Sequence, residues 1–218
     1  GLMNNHFEIA GRLSALQSDG YIDRAKSDLK SYFLQGTYVG KTTLIKALAF
    51  GGTEKTYQAW YGVDAATMES ERTFNPAGMF TDEFGHTRFY DNQTDNYQQD
   101  HYQLHWNEKI AANWNTNLAF HYTKGKGYYE EYKEDQDFAD YGLAPIVADP
   151  VVNTTDIVRQ KWLDNDFYGT TFSANYKADN LDVILGGGWN KYEGDHFGKL
   201  IWARFASQSE LGDHYYDD

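Results

Sequence analysis

The chain has 218 residues, room for one or two ordinary domains, so size alone excludes neither an enzyme nor a β-rich scaffold. It contains no cysteine, which excludes disulfide frameworks, thiolate metal sites and cysteine nucleophiles together. A formal net charge of -13 argues against a nucleic-acid partner, because binding a polyanion needs a basic face that releases counterions.

Aromatic residues make up 17% of the chain, with 18 Tyr, 13 Phe and 6 Trp beside 20 Gly and only 3 Pro, a composition that favours strands over helices. Acidic residues cluster in segments 95–100, 130–140 and 213–218, which fits either solubility or the attraction of cations. No run approaches the roughly 18 apolar residues of a membrane helix, and no basic-then-apolar signal peptide opens the chain. A membrane barrel stays open, because only alternate residues of its strands face lipid.

In chain order, Phe7, Ile9, Gly11 and Leu13 alternate with Glu8, Ala10, Arg12 and Ser14, the period of a strand. A hairpin is expected over 29–51, where Tyr32, Leu34, Gly36 and Tyr38 lead into a turn at Gly40-Lys41-Thr42; the alternation of its second strand is less regular. Residues 61–97 read as a long polar, aromatic connection. Next, Tyr102, Leu104 and Trp106 alternate with His101, Gln103, His105 and Asn107. After a turn within 108–112, Trp114, Thr116, Leu118, Phe120 and Tyr122 line one face, with Asn113, Asn115, Asn117, Ala119, His121 and Thr123 on the other. A second long connection is expected over 125–161. A last hairpin joins 167–177 to 181–189 around Ala178-Asp179-Asn180, with Leu181, Val183, Leu185, Gly187 and Trp189 on one face; Gly186-Gly187-Gly188 suggests a bend or a close approach. About seven strands of this kind are expected. Tight turns at one end and long connections at the other match an outer-membrane barrel. Aromatics near the strand ends, among them Trp60, Tyr61, Tyr128, Tyr129, Trp162, Trp189 and Tyr192, fit interfacial girdles or the core of a soluble sandwich, and alternation alone leaves both open.

Few motifs carry chemistry. Gly36-Thr37-Tyr38-Val39-Gly40-Lys41-Thr42 has three residues between its glycines where a phosphate-binding loop needs four, and no amphipathic helix follows; it reads as a turn. His101 and His105 would share a metal on a helix, but on a strand they stand about 13 Å apart along one face and read as lumen-facing polar residues. Asp164 with Asp166, and Glu130 with Glu131, read as solvated loop carboxylates rather than an acid/base pair. The sequence contains neither a Gly-x-Ser-x-Gly elbow nor His-Glu-x-x-His, and the chain is not expected to be an enzyme or to hold a cofactor or metal.

Several strings, in order and at sensible spacing, resemble the barrel of TonB-dependent receptors of the Bacteroidetes type. They are Ser18-Asp19-Gly20-Tyr21-Ile22-Asp23-Arg24, Asp28-Leu29-Lys30-Ser31-Tyr32-Phe33, Glu54-Lys55-Thr56-Tyr57-Gln58-Ala59-Trp60 and Tyr90-Asp91-Asn92-Gln93-Thr94-Asp95-Asn96-Tyr97. Lys124-Gly125-Lys126-Gly127-Tyr128-Tyr129-Glu130-Glu131-Tyr132, Arg159-Gln160-Lys161-Trp162-Leu163-Asp164-Asn165-Asp166-Phe167-Tyr168-Gly169 and Gly194-Asp195-His196-Phe197-Gly198 complete the match, which spans nearly the whole chain.

The resemblance implies an all-β fold: an antiparallel up-and-down meander, part of a transmembrane β-barrel of roughly 22 strands closed around a plug, with long extracellular loops. Residues 1–218 would supply about a third of it, as an internal segment without plug domain, TonB box or C-terminal closing strand. The implied location is the bacterial outer membrane. The implied activity is TonB-dependent import of a large scarce solute, a siderophore, another iron complex or cobalamin, with an oligosaccharide as the other substrate class. The implied partners are outer-membrane lipid, the TonB energy-coupling complex through the N-terminal part, and a small-molecule ligand such as a metal chelate. Loop residues Tyr57, Trp60, Tyr90, Tyr97, Tyr128 and Tyr129, with Arg72, Arg88 and His196, are the candidate ligand-binding set, because rings stack on a large solute while their polar tips hydrogen-bond it. The alternative is a soluble, aromatic-rich carbohydrate-binding β-domain.

Overall fold

Period-two alternation gives a strand one apolar and one polar side, and it supplies no helical stripe to bury. In a computed structural model, which describes residues 2–3, 6–147, 150–206, 211 and 214–218, this pattern folds into one antiparallel sheet. Its strands are β1 (Leu2–Met3), β2 (Phe7–Ser18), β3 (Ser27–Val39), β4 (Thr43–Tyr57), β7 (Thr94–Ala111), β8 (Trp114–Asp137), β9 (Thr154–Ala178), β10 (Leu181–Ala203) and β11 (His214–Asp217). Each pairs with its neighbour in sequence, so the sheet is an up-and-down meander. A separate hairpin, β5 (Met79–Thr81) and β6 (Thr87–Phe89), follows a single helix α1 (Ala65–Ser70) in the connection between β4 and β7. Seven of these strands are long: β2, β3, β4, β7, β8, β9 and β10.

Turns 40–42, 112–113 and 179–180 sit at one end of the sheet, and the connections 19–26, 58–93, 138–153 and 204–213 at the other. The turns are staggered. The register row that closes the first turn, through Val39 and Leu44, continues through Asn107 and Asn117 to Ser173. It therefore crosses β8 three residues beyond its start at Trp114 and β9 five residues short of its end at Ala178. A progressive stagger of this sign tilts the strands against the line of turns, the geometry that a closing barrel requires.

Register also assigns the faces, because directly paired residues point to the same side. One row carries Ile9, Gly36, Ala47, Leu104, Phe120, Thr170 and Trp189, and the next toward the turns carries Phe7, Tyr38, Ile45, Trp106, Leu118, Phe172 and Gly187. This face is apolar and uncovered: Ile9 is 62% and Leu185 71% exposed. Rings border it at both ends, Trp114 against Tyr176 (5.0 Å) by the turns and Tyr102 against Tyr122 (6.1 Å) farther up. The opposite face at the same level carries Ala10, Gln35, Leu48, Gln103, His121, Gly169 and Asn190.

Beyond the band the strands continue, and here the structure departs from the sequence reading. Residues 125–137 and 154–161, expected as loop, extend β8 and β9. Both faces of this outer part are covered by folded connections, so the apolar-polar period that marks a half-exposed strand is missing. Connection 58–93 packs on the side of the apolar face, with Phe80 stacked on Tyr132 at 4.3 Å. The 3₁₀ turn Phe138–Tyr141 packs on the other side, where Phe138, Tyr141, Leu143, Ile157, Leu200, Ala203 and Leu211 form the buried core. The core thus lies near the long connections and not under the apolar band. Gly186, Gly187 and Gly188 pair in unbroken register with Ser173, Phe172 and Thr171, so no register shift marks a bend there. A close approach is present instead: a Cβ on Gly187 would lie 3.2 Å from the Phe172 ring.

Candidate functional site

The polar face holds a concavity of about 520 Å³ built from alternate residues of four strands: Tyr97, Gln99, His101 and Gln103 of β7, His121, Thr123 and Gly125 of β8, Asn165 and Phe167 of β9, and Tyr192 of β10. Alternation sends every second side chain of each strand into it, and register brings the four series to one level. His101 stacks on Phe50 at 4.6 Å while its Nδ1 meets Thr123 Oγ1 at 2.9 Å. His121 faces Phe167 at 4.9 Å and leans over Gly169, where a Cβ would come within 2.8 Å of its Nε2. His105, on the same face, meets Gln103 Oε1 at 3.1 Å. The three histidines are thus engaged by different neighbours, and no group of three metal-ligating side chains forms among the described residues.

Tyr97 lies flat across β8: its ring and hydroxyl occupy the space that a Cβ on Gly125 would need. Burial raises the pKa of its phenol. Asn165 Oδ1 is buried without a hydrogen-bond partner among the described residues.

The nine residues expected from the sequence do not converge. Tyr97 lines the concavity. His196 shares its register row on the polar face, through Leu163 and Gly127, and Tyr129 stands one row farther out, with Trp60 edge-on to it at 6.3 Å. Tyr128 projects from the opposite face against Trp162 at 4.4 Å. Tyr57 is buried and donates to the carbonyls of Ala77 (3.0 Å) and Tyr90 (2.9 Å), fastening connection 58–93. Tyr90 donates to Glu130 Oε1 at 2.6 Å, and burial followed by that carboxylate raises its pKa. Arg88 pairs with Asp82 within its own hairpin at 2.9 Å, and Arg72 is exposed just after α1.

The carboxylates read from the sequence as solvated loop residues are strand residues. Glu130 is buried and accepts from Tyr90, Asn92 and Gln160. Glu131 holds the Arg159 guanidinium at 2.9 Å, with Arg159 donating also to Tyr141. Asp164 binds Lys124 and Lys126 at 2.6 and 2.8 Å. Gln99, Gln103, His121, Asn165, Phe167 and Tyr192 were not in the expected set, although Gln103 and His121 already stood on the polar side of their strands. What the sequence lacked was the register that aligns β7, β8, β9 and β10.

No family model matches the chain, and no curated protein matches it. Among solved structures it is similar in fold to the ferric-catecholate import receptor Fiu from E. coli K12 in its open form. The TM-score is 0.60 at 12% sequence identity, over 91% of this chain and 32% of the receptor. The chain therefore spans about a third of that receptor's length, and at this identity the likeness is one of fold.

Proposed function

We propose that this chain is a section of the wall of an outer-membrane receptor of the TonB-dependent type, which imports a large scarce solute such as a siderophore, another metal chelate or cobalamin. The apolar face contacts lipid, the polar face lines the lumen, the turns lie on the periplasmic side, and the connections 58–93 and 138–153 lie outside the cell. The role is transport and not catalysis, with TonB coupling exerted through other parts of the receptor. Tyr97, Tyr129, His196 and Trp60 belong to the solute's path; Tyr57, Tyr90, Tyr128, Arg72 and Arg88 shape or decorate the outer wall and its loop.

The observation that carries this reading is the uncovered apolar band, bordered by rings at both ends and backed by a polar face. Soluble monomers rarely expose a contiguous apolar surface larger than a few hundred Å². A lipid-facing strand needs about 9–11 residues, and aromatic girdles mark its limits. In a soluble sandwich a second sheet would cover this band, and none does among the described residues.

The absence of cysteine makes the test direct. Single cysteines at 117 through 122, in the longest native chain carrying this segment and reconstituted in lipid vesicles, are labelled with an environment-sensitive fluorophore. Labels at Leu118, Phe120 and Tyr122 should be quenched by lipid-borne quenchers, and labels at Asn117, Ala119 and His121 by aqueous ones. A uniform aqueous response at all six would sink the membrane assignment.

A further inference from the structure

We infer that the outward face of the sheet carries a site for the phosphorylated saccharide headgroup of an outer-leaflet glycolipid, whose acyl chains lie on the apolar band below it. The inference rests on the receptor reading above, and it concerns the lipid side of the wall, apart from the path of the imported solute. Register builds the site from two neighbouring rows of the apolar side. Lys30, Thr53, Gln98 and Lys126 pair directly across β3, β4, β7 and β8. The next row outward carries Asp28, Lys55, Asn96, Tyr128 and Trp162. Together they border a concavity of about 490 Å³. Glu54 borders it too, but it stands in the row of Tyr97 and Gly127 and points to the polar face. Three ammonium groups therefore meet one carboxylate, that of Asp28.

Position argues for a lipid. The row of Leu34, Ala49, Tyr102 and Tyr122 at the border of the band lies four residues nearer the turns than the Lys30 row. That is about 13 Å along the strands and about 10 Å along the membrane normal once they tilt, the depth of a headgroup layer. On β4 the band is lined by Ala47 and Ala49 beside the larger Leu34, Leu104 and Tyr102, which leaves a shallow track for an acyl chain. The track ends at Gly51, where Tyr32 donates to Asp100 at 2.7 Å. Beyond it stand the cations. Lys30 is 64% exposed with its Nζ 3.7 Å from Asp28, too long for a hydrogen bond, and Lys55 donates to Asn92 at 3.0 Å. Lys126 pairs with Asp164 at 2.8 Å and keeps 54% of its side chain exposed. Such groups give charge-assisted hydrogen bonds to a phosphate. Thr53, Asn96 and Gln98 add polar groups for sugar hydroxyls, and Tyr128 against Trp162 at 4.4 Å adds ring surface. A free anion would approach against the field of a chain with a formal charge of -13. An amphiphile already seated on the band is delivered to the lysines at high effective concentration, which favours a lipid over a free phosphate.

The test is native mass spectrometry of the longest native chain carrying this segment, folded in detergent. The probes are an acylated diglucosamine bisphosphate, its dephosphorylated form, and the water-soluble deacylated bisphosphate. The acylated bisphosphate should bind about tenfold tighter than either of the others. Lys30→Gln combined with Lys55→Gln should abolish most of that preference, and Lys30→Arg combined with Lys55→Arg, which keeps both charges, should retain it. Equal binding of the phosphorylated and dephosphorylated lipids overturns the inference, as does indifference to the glutamine pair or an equal loss in the arginine pair. Equal binding of the deacylated bisphosphate overturns the lipid source. The cysteine-labelling pattern reads the membrane role separately: alternating labels with no preference for phosphate remove this site and leave the receptor reading standing, whereas uniform aqueous labels remove both.

Discussion

Tyr97 can lie across β8 only because residue 125 has no side chain. A Cβ there would meet the Tyr97 hydroxyl first, then the ring's Cζ at 3.3 Å and Cε2 at 3.8 Å, so all three nearest atoms belong to Tyr97. The pair is thus a ring laid into a groove of glycine, holding two strands of the concavity together by van der Waals contact. Gly125→Ala should destabilise the folded state by about 1–3 kcal/mol through overpacking. Tyr97→Ala should cost a similar amount through the cavity it leaves. Because both act at one contact, the double variant should lose clearly less than the sum, as measured by denaturant unfolding in detergent; strict additivity would show that the two residues do not interact. A different single-residue device anchors the long connection. Arg24 adopts a left-handed backbone (φ 64°) that places its guanidinium 3.6 Å from the Phe89 ring and on the Asn75 carbonyl. Nothing in the local sequence marks Arg24 for this role, because its partners come from residues 75 and 89.

Between elements, the outer halves of β8 and β9 are joined by charge as well as by backbone. Lys124 reaches Asp164 and Asp166 at 2.6 and 2.8 Å, and Lys126 reaches Asp164 at 2.8 Å. The Lys124 ammonium, followed by that of Lys126, holds the Asp164 carboxyl below its ordinary value of 3.8. A carboxylate with a depressed folded-state pKa contributes stability that is fully present above its unfolded pKa and is lost as pH falls through the folded one. The protection factors of the outer β8–β9 ladder, which are corrected for the intrinsic pH dependence of exchange, should therefore stay unchanged from neutrality down to about pH 5 and fall below about pH 4. Asp164→Asn should remove most of that acid step. An acid step of equal size in the variant would assign it to other carboxylates. The buried amides act in the same outer region without titrating: Gln58 donates to the Glu130 carbonyl and Asn75 to the carbonyls of Asp23 and Gln58, tying connection 58–93 to the sheet.

For the whole molecule, the decisive feature is a sheet with one bare apolar face and two edges. Among the described residues, β2 beyond Glu8 and β10 from Leu181 to Asp195 have no partner on their outer sides. Unpaired strand edges and exposed apolar surface both promote association in water, and lipid or detergent covers only the second. In plain buffer the 218-residue chain should give a β-type circular dichroism spectrum and scatter light as large oligomers. Detergent should shrink these sharply, leaving small species joined along strand edges. A compact monomer without detergent would mean that the apolar face finds cover within the chain, as the soluble carbohydrate-binding alternative requires.

Legibility followed the physics of each region. Where a strand has one side in an apolar phase and one in a polar phase, as in Trp114 to Thr123, the period of two is written in the residues. The all-β meander, its three tight turns and the sides of most strands could therefore be read directly. In β4 the signal weakened because Ala47, Ala49 and Gly51 stand on the apolar side while Leu48 and Phe50 face the other. In 125–137 and 154–161 it vanished, because contacts from distant loops cover both faces and remove the asymmetry that patterning records. The sequence by itself determined the strand chemistry and which side of each long strand is apolar. Only the tertiary structure decided the register, and register fixes which side chains of β7, β8, β9 and β10 meet around the concavity. The physical reason is that alternation repeats every two residues along one strand, whereas pairing between strands is set by turn stagger and by long-range contacts such as Tyr97 on Gly125.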